Sequence, residues 1–200
     1  MAAYATSTDV RLYLGISSTS DNTLITALIA RAQSAIDKHT RRTFSSTANS
    51  TRYFTVGQDT SGRRLYLDAD LADIGTVTTD ADSTSPVTIS STEYITLPRN
   101  RAPYYALEIK SSCTKSWDYS ADPESGVTIT GKWAYSTSPP NDIKHACIRL
   151  SAFYYRQKDA QVFDTTAIPE AGVITVPVGL PSDVEKILRP YVRTHLVVSG

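Results

Sequence analysis

The stretch Asn22-Thr23-Leu24-Ile25-Thr26-Ala27-Leu28-Ile29-Ala30-Arg31-Ala32-Gln33-Ser34-Ala35-Ile36-Asp37-Lys38-His39-Thr40 decides half of the fold class. Leu24, Ile25, Leu28, Ile29, Ala32, Ala35 and Ile36 recur three and four residues apart, which lays one apolar stripe along a helix. Arg31, Gln33, Ser34, Asp37 and Lys38 fall mostly off that stripe. Ser20-Asp21 opens the helix, and Arg41-Arg42 stand where its dipole favours cations. Just beyond, at about Ser45, the hydrophobic period drops from 3.6 to 2, and that change decides the other half.

From Ser45 to Tyr135 short β candidates follow one another. They are Tyr53–Val56, Arg64–Leu67, Val87–Ile89, Tyr94–Leu97, Leu107–Lys110 and Val127–Thr130. Gly57, Gly62, Gly75, Pro86, Pro98, Pro103, Pro123 and Gly126 punctuate them, so antiparallel hairpins are predicted rather than βαβ units. Upstream, Ser7–Leu14 reads as a short helix capped by Ser7 or Thr8 and ended by Gly15. Downstream of Pro139-Pro140, residues Ile143, Ala146, Cys147, Leu150, Phe153 and Tyr154 return to helical spacing. Leu28, Ile29, Leu150 and Phe153 are the expected bundle core. Residues 160–181 form an apolar, Pro- and Gly-containing connector, neither helix nor central strand, suited to lie against a surface. Ser182 with Glu185 reads as a capping box for a last helix that Pro190 stops. The expected fold is α+β. A small α-helical bundle comes from residues 1–44 and 136–200, and an inserted, mainly antiparallel β-rich region from residues 45–135.

Composition limits function. The chain has 200 residues, 40% hydrophobic and 20% charged, enough to bury a core without disulfides. Twenty Lys and Arg balance twenty Asp and Glu, which removes the basic excess usual in nucleic-acid binders. The balance is uneven along the chain: residues 1–42 carry a net +2 and residues 53–98 a net −5. No apolar run reaches membrane-spanning length, and the N-terminus reads as having no secretory signal. Cys113 and Cys147 are expected as reduced thiols.

The sequence carries no recognisable catalytic motif. His39, His145 and His195 are scattered, and there is no nucleophile elbow, paired-cysteine, phosphate-loop or metalloprotease motif. Asp68, Asp70 and Asp73 space carboxylates as a calcium loop does, but the loop's glycine and final glutamate are missing. A solvated turn after Leu67 is the plainer reading. Arg41-Arg42 and Arg63-Arg64 read as a helix end and a strand edge rather than phosphate sites. Trp117 with Tyr119 and Trp133 with Tyr135 place paired rings on strand faces, the raw material of a sugar platform or of a core. Tyr155 sits off the main stripe of its helix, which calls for partial exposure or a second neighbour.

The order of segments carries a resemblance. Thr8–Leu14, Asp21–Thr43, Val127–Trp133, Pro140–Arg156 with Tyr154-Tyr155-Arg156, and Val184–Arg193 with its Leu-Arg-Pro-Tyr run together resemble the head–tail connector (adaptor) proteins of long-tailed bacteriophages and prophages. The long β insertion is similar to that of the larger members. The resemblance implies a non-enzymatic virion protein with no cofactor or metal, assembled in the host cytoplasm and located at the neck on the capsid vertex. It implies a homo-oligomeric ring matching portal symmetry. That ring would lie between the portal protein and the head-completion (stopper) or tail-terminator protein, with genomic DNA passing through unread and no membrane involved. By the same resemblance the C-terminal part docks on the portal. Tyr191, Arg193, His195, Leu196, Val197 and Val198 are therefore the expected portal contacts. Tyr155, Ile168, Val173, Ile174 and Val176 are the expected contacts with neighbouring subunits. The rival reading is a β-rich carbohydrate-binding tail or baseplate module built on the two tryptophans. A small hydrolase, with no motif behind it, is the weakest.

Overall fold

The structure is a computed structural model, and it describes residues 3–160, 165–168, 172–175 and 179–193. The described residues form an α+β fold with four α-helices and antiparallel sheets. Two compact units divide it: Thr43–Ser138, and Ala3–Arg42 together with the chain from Pro139 onward.

The first unit holds β1 (Ser50–Phe54), β2 (Thr60–Ser61), β3 (Arg64–Leu71), β4 (Asp73–Thr79), β5 (Val87–Thr88), β6 (Tyr94–Leu97), β7 (Tyr104–Ile109) and β8 (Val127–Lys132). One sheet runs β1-β8-β4-β5 and the other β2-β3-β7-β6, with every pair antiparallel. Strand β8 alternates strictly between buried and half-buried, which places Val127 and Ile129 inside. Phe54, Leu65, Leu67, Leu71, Val77, Leu107 and Ile109 join them in one core shared by both sheets. Burying each such side chain stabilises the unit by about 1.5–3 kcal/mol before entropy is counted. Gly131 lies in β8 between β1 and β4, where an added Cβ would strike the Asp73 carbonyl oxygen and meet Leu71 Cδ1 at 2.9 Å.

Two sequence expectations change here. The expected turn after Leu67 is strand, because β3 continues to Leu71. Its carboxylates find separate places: Asp68 is exposed and reaches Arg52 at 2.5 Å, and Asp70 is buried. The paired-ring reading fails too. Trp117 lies in a loop and Trp133 just past β8, and both are buried.

The second unit contains α1 (Ser7–Leu14), α2 (Asn22–Thr40), α3 (Asn141–Ala160) and α4 (Ser182–Leu188). Helix α3 packs against each of the other three. Val10, Ile25, Ile29, Ala32, Ile36, Ile143, Ala146, Cys147, Leu150, Val184 and Leu188 are buried, while Leu28 and Phe153, expected in the core, are only half-buried. The α1 cap is Thr6, upstream of Ser7 and Thr8. Its Oγ1 accepts from the Asp9 amide at 3.1 Å, and the Asp9 carboxylate accepts from the Thr6 amide at 2.9 Å, a complete capping box. The box expected at Ser182 does not form. Pro181 takes the cap position, its carbonyl accepting from Glu185 N at 2.9 Å, so Ser182 is already inside the helix. After Leu188 a 3₁₀ turn, Arg189–Tyr191, absorbs Pro190. Part of the expected connector is a hairpin, β9 (Thr165–Ile168) with β10 (Gly172–Thr175), whose paired positions avoid every proline.

Candidate functional site

The candidate catalytic and ligating groups do not converge. Among the described residues no set of three His, Cys, Asp or Glu side chains is placed to hold a metal ion. Asp73 pairs with Lys132 at 3.0 Å, and Asp68 with Arg52. His145 meets the ring edge of Tyr13, centroids 6.5 Å apart, and His195 lies outside the described residues. Both cysteines are free thiols, and burial pushes the Cys147 thiol up to about 12, which leaves it inert as a nucleophile at neutral pH. Arg41 terminates α2 with a left-handed backbone (φ 56°). Arg63 satisfies the carbonyls of Ile109, Lys110 and Cys113, and Arg64 pairs with Glu108 at 2.7 Å. The Arg63 and Arg64 side chains are thus engaged within the β unit. Among the described residues no helix is long and apolar enough to cross a membrane.

The tryptophans are satisfied core residues. The Trp117 indole donates to the Arg63 carbonyl and that of Trp133 to the Ser50 carbonyl, each at 2.9 Å. Arg52 covers the Trp133 ring from 4.6 Å. Neither presents an open face for a sugar to stack on.

Of the expected contact residues, Tyr155, Ile168, Val173, Ile174, Tyr191 and Arg193 are among those described, and all belong to the helical unit. Tyr191 donates to Asp142 at 3.1 Å, Arg193 N donates to the Thr40 carbonyl at 2.9 Å, and Val192 between them is exposed. Leu196, Val197, Val198 and Val176 lie outside the described residues. Tyr155 is half-buried and donates a short hydrogen bond to Asp21, which also faces Lys158 at 3.5 Å. The Tyr155 hydrogen bond, more than Lys158, holds the Asp21 carboxyl below the usual range. Ile168, Val173 and Ile174 occupy strand positions of the β9–β10 hairpin.

Sequence reasoning misses a groove on the helical unit. A cavity of about 660 Å³ opens between α2, α3 and the segment before α4. Arg31, Lys38 and His39 line one side, and Phe153, Tyr154 and Leu180 give it apolar walls. The Arg31 guanidinium carbon lies 4.5 Å from the Tyr154 ring centroid, a cation–π contact. Among the described residues no carboxylate lines the groove. The nearest in sequence, Asp37, is turned to Tyr4, whose hydroxyl donates to it at 2.6 Å.

The opposite charge gathers on the β unit. Asp118, Asp122 and Glu124 are exposed in the loop before β8, with Tyr119 43% exposed among them. Asp82 holds this loop in place. Its carboxylate accepts from the amides of Ser120 (3.0 Å), Ala121 (2.6 Å) and Asp122 (2.7 Å). Those backbone donors hold the Asp82 carboxyl down to about 2.

No protein-family model matches the chain, and no curated sequence matches it significantly. Solved structures do. The chain shares its fold with components of a particle neck. One is a chain in the neck of an empty gene transfer agent (GTA) particle computed with C6 symmetry, at TM-score 0.57 and 16% identity, over 97% of this chain and 91% of that one. Another is in the neck of the native GTA particle computed with C12 symmetry, at TM-score 0.57 and 16% identity, over 100% of this chain and 96% of that one. At this identity the likeness establishes a shared fold, and it spans both units.

Proposed function

We propose that this protein is a structural component of the neck of a phage-like particle, a head–tail connector that assembles into a ring. One observation carries the reading: the likeness to GTA neck chains covers at least 97% of the chain, so helical unit and β unit correspond together. Those necks were computed with sixfold and twelvefold symmetry, which favours a closed ring of copies here. In this reading the ring sits between the portal and the head-completion or tail-terminator protein, the segment around Tyr191–Arg193 and beyond meets the portal, and DNA passes through without being read. Electron microscopy of the purified protein, alone and mixed with portal, tests it. Rings coaxial with the portal are expected; a persistent monomer that ignores the portal overturns the reading.

A further inference from the structure

We propose that the cationic groove of the helical unit receives the acidic loop Asp118–Glu124 from the β unit of the next copy, an inference that rests on the ring reading above. The chain is neutral, but its units are not: residues 3–42 with 139–200 carry twelve Lys and Arg against nine Asp and Glu, and residues 43–138 carry eight against eleven. Each excess has a local focus. Arg31, Lys38 and His39 face the groove, and no ion pair joins them to a described carboxylate. Asp118, Asp122 and Glu124 stand exposed on the loop.

The shapes agree with the charges. The groove has the volume of an ordinary side-chain or ligand pocket, with aromatic walls at Phe153 and Tyr154. The loop offers one exposed aromatic ring, Tyr119, flanked by acids. A tyrosine anchor in an apolar pocket, rimmed by complementary charge, is the usual anatomy of a specific contact. The loop is also already ordered. Besides the three amides held by Asp82, Asp80 N donates to the Asp118 carbonyl at 2.9 Å and Ala81 N to the Gly126 carbonyl at 3.0 Å. Docking therefore costs little further ordering. Groove and loop are different patches, so their pairing is head-to-tail, and repeated head-to-tail pairing is what closes rings instead of twofold dimers.

The test mixes ¹⁵N-labelled and unlabelled full-length protein at low salt and treats it with a carbodiimide, which joins an amine directly to a carboxylate. Lys38 is the one amine among the described residues that line the groove. The expected product is a mixed-isotope cross-link from Lys38 to Asp118, Asp122 or Glu124, falling at least tenfold in 0.5 M salt. It should fall as far in Arg31→Glu and in Asp122→Arg, each checked for an unchanged melting curve, and recover when those two variants are mixed. Since both side chains are exposed, failure of one variant to fold leaves the other to decide. Absence of the mixed-isotope link in the wild type, or full yield in both variants, overturns the proposal. Rings that form without this link overturn the contact and spare the ring reading; the link without closed rings does the reverse.

Discussion

Tyr4 is buried against α2 and donates its phenol hydrogen to Asp37 across 2.6 Å. Its amide also donates to Gln33 Oε1 at 3.3 Å, so the segment ahead of α1 is tied to α2 at two points. Burial pushes the Asp37 carboxyl up to about 6, and the Tyr4 hydrogen bond only partly opposes this.

This makes stability depend on pH in a definite direction. The folded value lies above the ordinary 3.8, so the folded state holds the proton more tightly. The resulting stabilisation is complete below pH 4 and is lost as pH rises through about 6. At ~1.4 kcal/mol per unit, discounted for partial solvent exposure, about 1–2 kcal/mol is expected to disappear between pH 4.5 and 7.5. Asp37→Asn keeps an acceptor for Tyr4 without the charge. Urea unfolding should show the wild type losing more stability over that range than the variant; parallel curves refute the assignment.

Leu150 is fully buried on α3, the helix that touches all the others. Leu150→Ala should cost about 2–5 kcal/mol, the usual range for such a cavity. Phe153, three residues on and half-buried, should cost less when cut to Ala. Equal losses in chemical denaturation would contradict the packing described.

The helices are legible in the sequence because one period runs through them. The Ile25–Ile36 stripe and the Ile143–Leu150 stripe both form core. What escapes the sequence is local. Thr6 caps α1 because Asp9, three residues on, completes its box, whereas the run Thr6-Ser7-Thr8 offers three candidates of similar chemistry. Strand β4 is hidden because Gly75 and a run of threonines dilute its alternation, leaving Val77 as its one fully buried apolar side chain. Strand β3 reads short because Asp68 and Asp70 look like a turn, and only the fold supplies Arg52 beside the first. The groove is illegible for another reason. Arg31 and Lys38 read as solvated cations off the stripe, and Tyr154 enters from a helix more than a hundred residues away.

Gly131 has no room for a side chain. The clash with the Asp73 carbonyl is with backbone, so the β8–β4 pairing must shift to admit a methyl group. Gly131→Ala should destabilise the β unit by about 1–3 kcal/mol, the usual cost of overpacking. Gly15→Ala, at the left-handed end of α1, meets nothing within 4 Å and should be penalised only by its backbone conformation, φ 73°. Thermal melts of the two variants compare a steric cost with a conformational one, and an unchanged Gly131→Ala melt would contradict the close β8–β4 approach.

Asp82 organises the 118–124 loop through three amides. Its folded value lies below the ordinary 3.8, so its contribution is present above pH 4 and lost as pH falls through about 2. Asp82→Ala at neutral pH should speed hydrogen exchange at the Ser120, Ala121 and Asp122 amides while leaving exchange in β8 unchanged. Uniform acceleration across the β unit would mean that the loop is part of the core rather than a latch upon it.

The C-terminal segment provides the sharpest test of the proposed portal contact. Pro190 ends regular helix, and the Arg193 amide is fixed to the Thr40 carbonyl at 2.9 Å, so the chain is anchored to α2 up to that point. Deleting residues 194–200 removes none of the bonds described above. The shortened protein should keep a near-native melting temperature and still form the contacts between copies, yet fail to join portal-bearing heads. Val192, exposed beside the anchor, gives a second handle: Val192→Asp should weaken joining without unfolding. If the deletion unfolds the protein, residues 194–200 belong to the bundle core. If it folds and joins heads normally, the portal is met elsewhere, and the connector that includes Ile168, Val173 and Ile174 becomes the surface to test.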